Sequence, residues 1–275
     1  MLLWNSIDIF VIKVVYKFMK IAIIGAGNIG GAMARGLVAK GAAEPSSLTL
    51  TTAHEQSLAK YAGLGCKLTT DNRSAARGAD IVVLAVKPWL IPAVADEIKD
   101  VLSPGHQTVV SLAAGVDNKA LSERLGEGVD LVCVIPNTAI EIGESVTFLC
   151  PVNIRGARLD EVRSLFDKLG RTFVVDEAHL QAGTALASCG IAFAMRYARA
   201  ATEGGVQLGF KPEVALEMVE QTVVGAMKLM EAHGSHPEVE IDRVTTPGGI
   251  TIKGLNAMEE AGFTNAVIKG LKAAK

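Results

Sequence analysis

Proline is sparse in this chain of 275 residues, at 9, and aromatic residues reach only 5%. Cysteine is limited to 4, at positions 66, 133, 150 and 189, and no two stand in a CxxC spacing. Net charge is almost absent, because 27 Lys and Arg oppose 29 Asp and Glu and leave −2. Each scarcity excludes something. Without a basic excess there is no electrostatic footprint for nucleic acid. With so few aromatics there is no stacking platform for single strands. Scattered cysteines support neither a disulfide framework nor a zinc site, and they point to a reducing cytoplasm. His233 and His236 stand close together, but no Cys, Asp or Glu of ligand spacing joins them, so no metal is expected and a solvated loop is.

What is abundant is apolar content, at 49%, and glycine, at 28. A length of 275 suits one large or two modest domains. Residues 1–18 (MLLWNSIDIFVIKVVYKF) are apolar but interrupted by Asp8, Lys13 and Lys17. That is too short and too charged for a spanning helix, which needs about 20 apolar residues. A charged start and a small-residue cleavage site are lacking, which argues against a signal peptide. The segment reads as an upstream extension, with an interaction helix or anchor as the alternative; no membrane partner is expected.

From Lys20 onward short apolar runs alternate with helical stretches. Ile21–Ile24, Leu48–Leu50, Ile81–Ala85, Thr108–Ser111 and Leu131–Ile135 read as strands covered on both faces. Val146–Leu149 and Phe173–Val175 extend the set. The helices between them are expected at Ile29–Lys40, His54–Tyr61, Asn72–Gly78, Trp89–Asp100, Lys119–Leu125 and Ala157–Leu169. Alternation of this kind predicts an α/β fold with a doubly wound parallel sheet. After Asp176 strand signals stop. Ala178–Leu208, Pro212–Ala232, Gly248–Ala261 and Asn265–Ala273 read as helices, so residues 19–176 and 177–275 are expected as separate domains. Few charges lie between Ala182 and Ala194, so that helix is expected to be buried, within its own domain or against another subunit.

Gly25-Ala26-Gly27-Asn28-Ile29-Gly30 follows a strand and opens a helix. In that context the glycines read as a pyrophosphate seat. Gly25 permits the tight turn, Gly27 the close backbone approach, and Gly30 the close packing of helix on strand. The helix N-terminus offers N–H groups and a positive dipole end. At the end of the second strand, Thr51 and Thr52 stand where an NAD-binding chain would carry an acid. Their hydroxyls and the adjoining amides favour a 2′-phosphate, hence NADPH, with NADH as the alternative. Late in the chain, Thr246-Pro247-Gly248-Gly249-Ile250-Thr251 opens a helix with N–H groups and hydroxyls facing an anion, or is simply a capped helix start with Thr246 as N-cap.

Together with Ala85-Val86-Lys87-Pro88, Ser111-Leu112-Ala113-Ala114-Gly115 and Pro136-Asn137-Thr138, these segments resemble the pyrroline-5-carboxylate reductase family from Met19 to Lys275. The resemblance implies a Rossmann-type domain followed by an all-α dimerisation domain, homodimers or larger rings, and an active site between domains with a partner subunit contributing. It implies NAD(P)H-dependent reduction of 1-pyrroline-5-carboxylate to L-proline, the last step of proline biosynthesis. By resemblance, Gly25 to Ile29 would contact the pyrophosphate and Asn72 the adenosine end. Ala85, Val86, Lys87 and Pro88 would line the ribose and nicotinamide side, with Ala113 and Asn137 flanking the nicotinamide. Thr246, Gly248, Gly249 and Thr251 would hold the substrate's carboxylate and ring nitrogen. Thr251 is the candidate orienting group at that nitrogen, and Lys87 the one nearby titratable group, unless it merely faces solvent.

The chain departs from the family pattern in places. Cys133 stands where an Arg is usual and Ile135 where a Met is. Asn137-Thr138 is followed by Ala139 in place of Pro, the small-residue run reads Ala187-Ser188-Cys189-Gly190-Ile191-Ala192, and Arg199 takes a usually acidic position. These changes leave open a related cyclic-imine reductase or a non-catalytic NADP-binding regulatory protein. A β-hydroxyacid dehydrogenase is disfavoured, since Ala178 to Thr202 holds no Lys.

Overall fold

The structure, a computed structural model, describes residues 19–275, so the expected extension over 1–18 lies outside the described residues. The chain divides into two compact units, one ending at Thr184 and one from Ala185 to Lys275. In the first unit the elements run β1 (Ile21–Ile24), α1 (Asn28–Ala39), β2 (Leu48–Thr51), α2 (Glu55–Leu58), β3 (Lys67–Thr69), α3 (Asn72–Ala76), β4 (Ile81–Leu84), α4 (Ile91–Ile98), β5 (Thr108–Ser111), α5 (Asn118–Leu125), β6 (Asp130–Pro136), β7 (Ser145–Pro151), α6 (Ala157–Asp167), β8 (Gly170–Val174) and α7 (Glu177–Gly183).

The eight strands form one sheet in the order β3-β2-β1-β4-β5-β6-β7-β8. Every residue of β1 is buried. Ile21 and Ile23 face the layer that holds Met33 and Leu37 of α1 with Leu165 and Phe166 of α6. Ala22 and Ile24 face the layer that holds Ile91, Val94 and Ile98 of α4 with Leu121 and Leu125 of α5. Alternation with period two therefore feeds two cores, one on each face, and explains why the strands read as unbroken apolar runs.

The sheet departs from the sequence expectation at two strands. β3 was not expected; it is short, begins with Lys67 and pairs only with β2 at the sheet edge, where no apolar run is needed. β7 pairs antiparallel to β6, whereas the other ladders are parallel. Only a 3₁₀ turn at Thr138–Ile142 separates β6 from β7. A parallel return needs a crossover of a dozen or more residues, usually a helix, which this connection cannot hold. The helix expected over His54–Tyr61 is one α-turn, α2, followed by a 3₁₀ segment at Ala59–Leu64 that ends on Gly65 with φ +73°.

The second unit is wholly helical: α8 (Cys189–Gln207), α9 (Pro212–His233), α10 (Pro237–Arg243), α11 (Ile250–Glu260) and α12 (Phe263–Ala273). The long helix expected over Ala178–Leu208 is interrupted by a π-helical turn at Thr184–Ser188. α10 was not expected; Pro237 at its first position and His236 as its cap mark it. Within this unit only Ala185 and Ala215 are buried, while Met195, Leu216, Met227 and Phe263 are among many large apolar side chains left exposed. Burial of α8 within its own domain, one of the two expected settings, is therefore not met in the single chain. Among the described residues no helix is long and apolar enough to cross a membrane.

Candidate active site

β1 lies between β2 and β4, and the strand order reverses there. Crevices for dinucleotides form at the carboxyl ends of strands at such a reversal. Two loops meet at this end, Gly25–Gly30 after β1 and Ala85–Leu90 after β4. Gly25 has φ +93°, and a Cβ on it would stand 2.9 Å from the Val86 nitrogen. A Cβ on Gly30 would stand 2.9 Å from Ala85 Cβ. Both glycines are thus required for the two loops to touch. Around Gly27 the space where a side chain would project is open to beyond 4 Å. Gly27 caps α1 without a side-chain hydrogen bond, and no acid lies in the first turn. The first amides of α1 therefore remain free to meet an anion. An open approach at Gly27 and uncapped amides fit a pyrophosphate.

The turn is held from behind by β2. The Ala26 N–H donates to the Thr51 carbonyl at 2.7 Å, and the Gly25 N–H donates to Thr51 Oγ1 at 3.2 Å. Thr51 Oγ1 in turn donates to Asn72 Oδ1 at 2.7 Å, and Asn72 Nδ2 donates to Glu97 at 2.9 Å. Thr51 is buried, so its hydroxyl braces the glycine turn. The Thr52 hydroxyl donates to the His54 carbonyl at 2.8 Å. A small cleft of Ala53, His54, Glu55, Gln56 and Thr70 opens beside it.

Lys87, Pro88 and Trp89 are exposed at the end of β4, and Pro88 starts a 3₁₀ turn. Ala113 and Asn137 are buried at the ends of β5 and β6. Asn137 Oδ1 accepts from the Ala139 N–H at 3.1 Å, and the Asn137 N–H donates to Ser145 Oγ at 3.2 Å. Cys133, at the departure from the family Arg, is a buried thiol opposite Cys150 across β6 and β7. Burial, then the neighbouring Cys150 and Glu177, push its pKa up to about 12. It is therefore protonated and no nucleophile at neutral pH.

In the helical unit, Thr246–Gly249 forms a turn in which the Gly249 N–H donates to the Thr246 carbonyl at 3.0 Å. Gly248 adopts φ +72°. Pro before a left-handed glycine is the signature of a type II turn. The N-cap of α11 is Gly249 and not Thr246, and the helix begins at Ile250, two residues later than expected. Thr251 lies exposed in its first turn. Thr245, the residue before the turn, bonds back onto α10, its N–H donating to the Asp242 carbonyl at 3.2 Å and its hydroxyl to the Ile241 carbonyl at 2.6 Å. Glu240 accepts from Arg243 at 2.6 Å and pairs with His233 of α9 at 3.0 Å, and Ser235 bonds to the same carboxylate. His233, the exposed last residue of α9, is thus a hydrogen-bond partner of Glu240, and His236, in the exposed loop between α9 and α10, caps α10. The motif reading missed Glu97 behind Asn72, and also Tyr61, whose hydroxyl reaches the glycine turn.

Comparison with known proteins decides the family. A family profile described as pyrroline-5-carboxylate reductase dimerisation matches residues 177–275. Another, described as NADP oxidoreductase, coenzyme F420-dependent, matches residues 20–115. A pyrroline-5-carboxylate reductase of Methanosarcina acetivorans is 34% identical over 93% of this chain and 97% of its own length. The chain belongs to the pyrroline-5-carboxylate reductase family. Pyrroline-5-carboxylate reductase 1 of Dictyostelium discoideum is 36% identical over 91% of this chain, which spans 48% of that protein's length. Among solved structures, Plasmodium falciparum pyrroline carboxylate reductase with NADP bound is similar at a TM-score of 0.84 and 26% identity, over 93% of this chain and 95% of the other. The family's dimerisation segment is the one whose apolar side chains the single chain leaves exposed.

Proposed function

We propose that the chain reduces 1-pyrroline-5-carboxylate to L-proline with NADPH. Family membership together with the open, uncapped glycine turn at the β1/β4 reversal is the observation that carries this reading. The Plasmodium relative with NADP bound and the NADP oxidoreductase profile over residues 20–115 support NADPH as the cofactor. When bound, the reduced nicotinamide supplies the hydride that converts the imine carbon to an amine carbon.

The protein's tasks are then binding and orientation. The turn from Gly25 to Ile29 seats the pyrophosphate, with Asn28 and Ile29 presenting their amides, since the Gly25, Ala26 and Gly27 N–H groups are held within the protein. Thr52 and the cleft beside it, with Asn72, serve the adenosine end, and Thr51 supports the turn. Ala85, Val86, Lys87, Pro88, Ala113 and Asn137 form the nicotinamide side. Thr246, Gly248 and Gly249 set the first amides of α11 toward the substrate carboxylate. Thr251 orients the ring nitrogen, which arrives protonated from solution, so no strong general acid is required. Lys87 contributes positive charge at the mouth of the cofactor site. The setting is cytoplasmic, a compartment in which four free thiols persist.

The decisive assay mixes purified protein with pyrroline-5-carboxylate and follows oxidation of NADPH, then of NADH. Substrate-dependent oxidation with proline as product is expected, faster with NADPH. Nucleotide binding without turnover would sink the catalytic reading in favour of a regulatory one.

A further inference from the structure

We propose that Tyr61 is a positioning residue for the dinucleotide, setting the peptide planes of the Gly25–Gly30 turn so that its free amides face the phosphates. The inference rests on the reading of that turn as the cofactor seat. Tyr61 lies in the 3₁₀ segment Ala59–Leu64, outside every motif of the family resemblance, and its ring is buried at 5% exposure. The hydroxyl donates to the Ala26 carbonyl at 2.5 Å and stands 3.4 Å from the Gly27 carbonyl. The Gly27 carbonyl also accepts from the Gly31 N–H at 2.8 Å.

In a trans peptide the carbonyl and the following N–H point in opposite directions. Holding the Gly27 carbonyl inward therefore directs the Asn28 N–H outward, toward the open side of the turn. Thr51 grips the turn by its N–H groups, at Gly25 and Ala26. Tyr61 grips it by the Ala26 carbonyl, which takes the one hydroxyl proton, and packs its oxygen beside the Gly27 carbonyl held by Gly31. A phenylalanine would fill the same core volume, so the hydroxyl itself is the functional group.

Gly31 is the independent sign. The dinucleotide motif does not require a glycine after Gly30. A Cβ at Gly31 would overlap the Tyr61 hydroxyl and stand 2.9 Å from Cε1 and Cζ of the ring. Glycine at 31 is what admits the hydroxyl to the turn.

The test is direct titration of wild type, Tyr61→Phe and Gly31→Ala with NADPH and NADH, alongside thermal midpoints without ligand and steady-state kinetics. Loss of one hydrogen bond to a buried carbonyl should weaken NADPH binding roughly five- to tenfold in Tyr61→Phe. KM for NADPH should rise in step, with kcat at saturating nucleotide changed less than about twofold. Gly31→Ala, which displaces the hydroxyl without removing it, should show the same split and keeps the test alive if Tyr61→Phe does not fold. Wild-type affinity in either folded variant, with only a lowered thermal midpoint, would overturn the proposal and leave Tyr61 a core residue. Absence of nucleotide binding by the wild type would instead overturn the cofactor reading itself, and this inference with it.

Discussion

At Gly25 a single hydrogen in place of a side chain decides whether two loops meet. Its φ of +93° and the Val86 nitrogen 2.9 Å from a would-be Cβ act together. Gly25→Ala should therefore cost on the order of 1–3 kcal/mol of stability and sharply weaken nucleotide binding. Denaturant melts with and without NADPH check this, and an unchanged melt would show that the turn can move. Thr251 is subject to a different test, because it is exposed and its loss leaves the core intact. Thr251→Ala should lower kcat/KM for pyrroline-5-carboxylate about tenfold or more, with NADPH affinity retained. An undiminished rate removes it from the mechanism. Position Gly31 shows what a motif scan passes over. The glycine is visible in the sequence, but the tyrosine it makes room for is thirty residues away and has no spacing rule.

Among the elements, α10 is invisible to the hydrophobic pattern, and Thr245, next to the Thr246–Gly249 turn, bonds back onto its last residues. The hold of α10 on α9 is electrostatic. The Ser235 hydroxyl first, then His233 and Arg243, hold the Glu240 carboxyl down to about 2. An unfolded glutamate titrates near 4.3. The folded state thus keeps this carboxylate ionised where the unfolded chain has taken up a proton. The contribution is complete above the unfolded value and is lost as pH falls from about 4.3 toward about 2. Thermal midpoints over that window should fall more steeply for wild type than for Glu240→Gln, and parallel curves would refute the role. In the sheet, the central strands were legible because burial on both faces leaves an unbroken apolar run. β3 was not, since an edge strand of Lys67–Thr69 needs no such run. The antiparallel turn of β7 follows from the length of the loop before it, a count the apolar pattern does not contain.

On the scale of the whole molecule, the helical unit shows why this chain self-associates. It buries only two alanines of its own while Met195, Leu216 and Met227 stay open to solvent. Leu216→Lys should shift the protein toward monomers in light scattering and leave NADPH binding by the sheet unit in place; an unchanged mass would place the interface elsewhere. Few charges between Ala182 and Ala194 already pointed to a covered helix. Which surface covers it could not be read from the chain, because a stretch buried by its own domain and one buried by a second copy have the same composition. The same division runs through the protein. By itself the sequence determined what depends on near neighbours: the alternation of strand and helix, the glycine turn that opens α1, the Pro-Gly-Gly turn before α11 and the family they resemble. Tertiary structure alone decided what depends on residues far apart in the chain. It placed Thr51 behind the glycine turn, aimed the Tyr61 hydroxyl at Ala26 and set Cys133 opposite Cys150. Backbone preferences act over a few residues, whereas a side chain's partner is chosen by packing, which brings together atoms that no local rule connects.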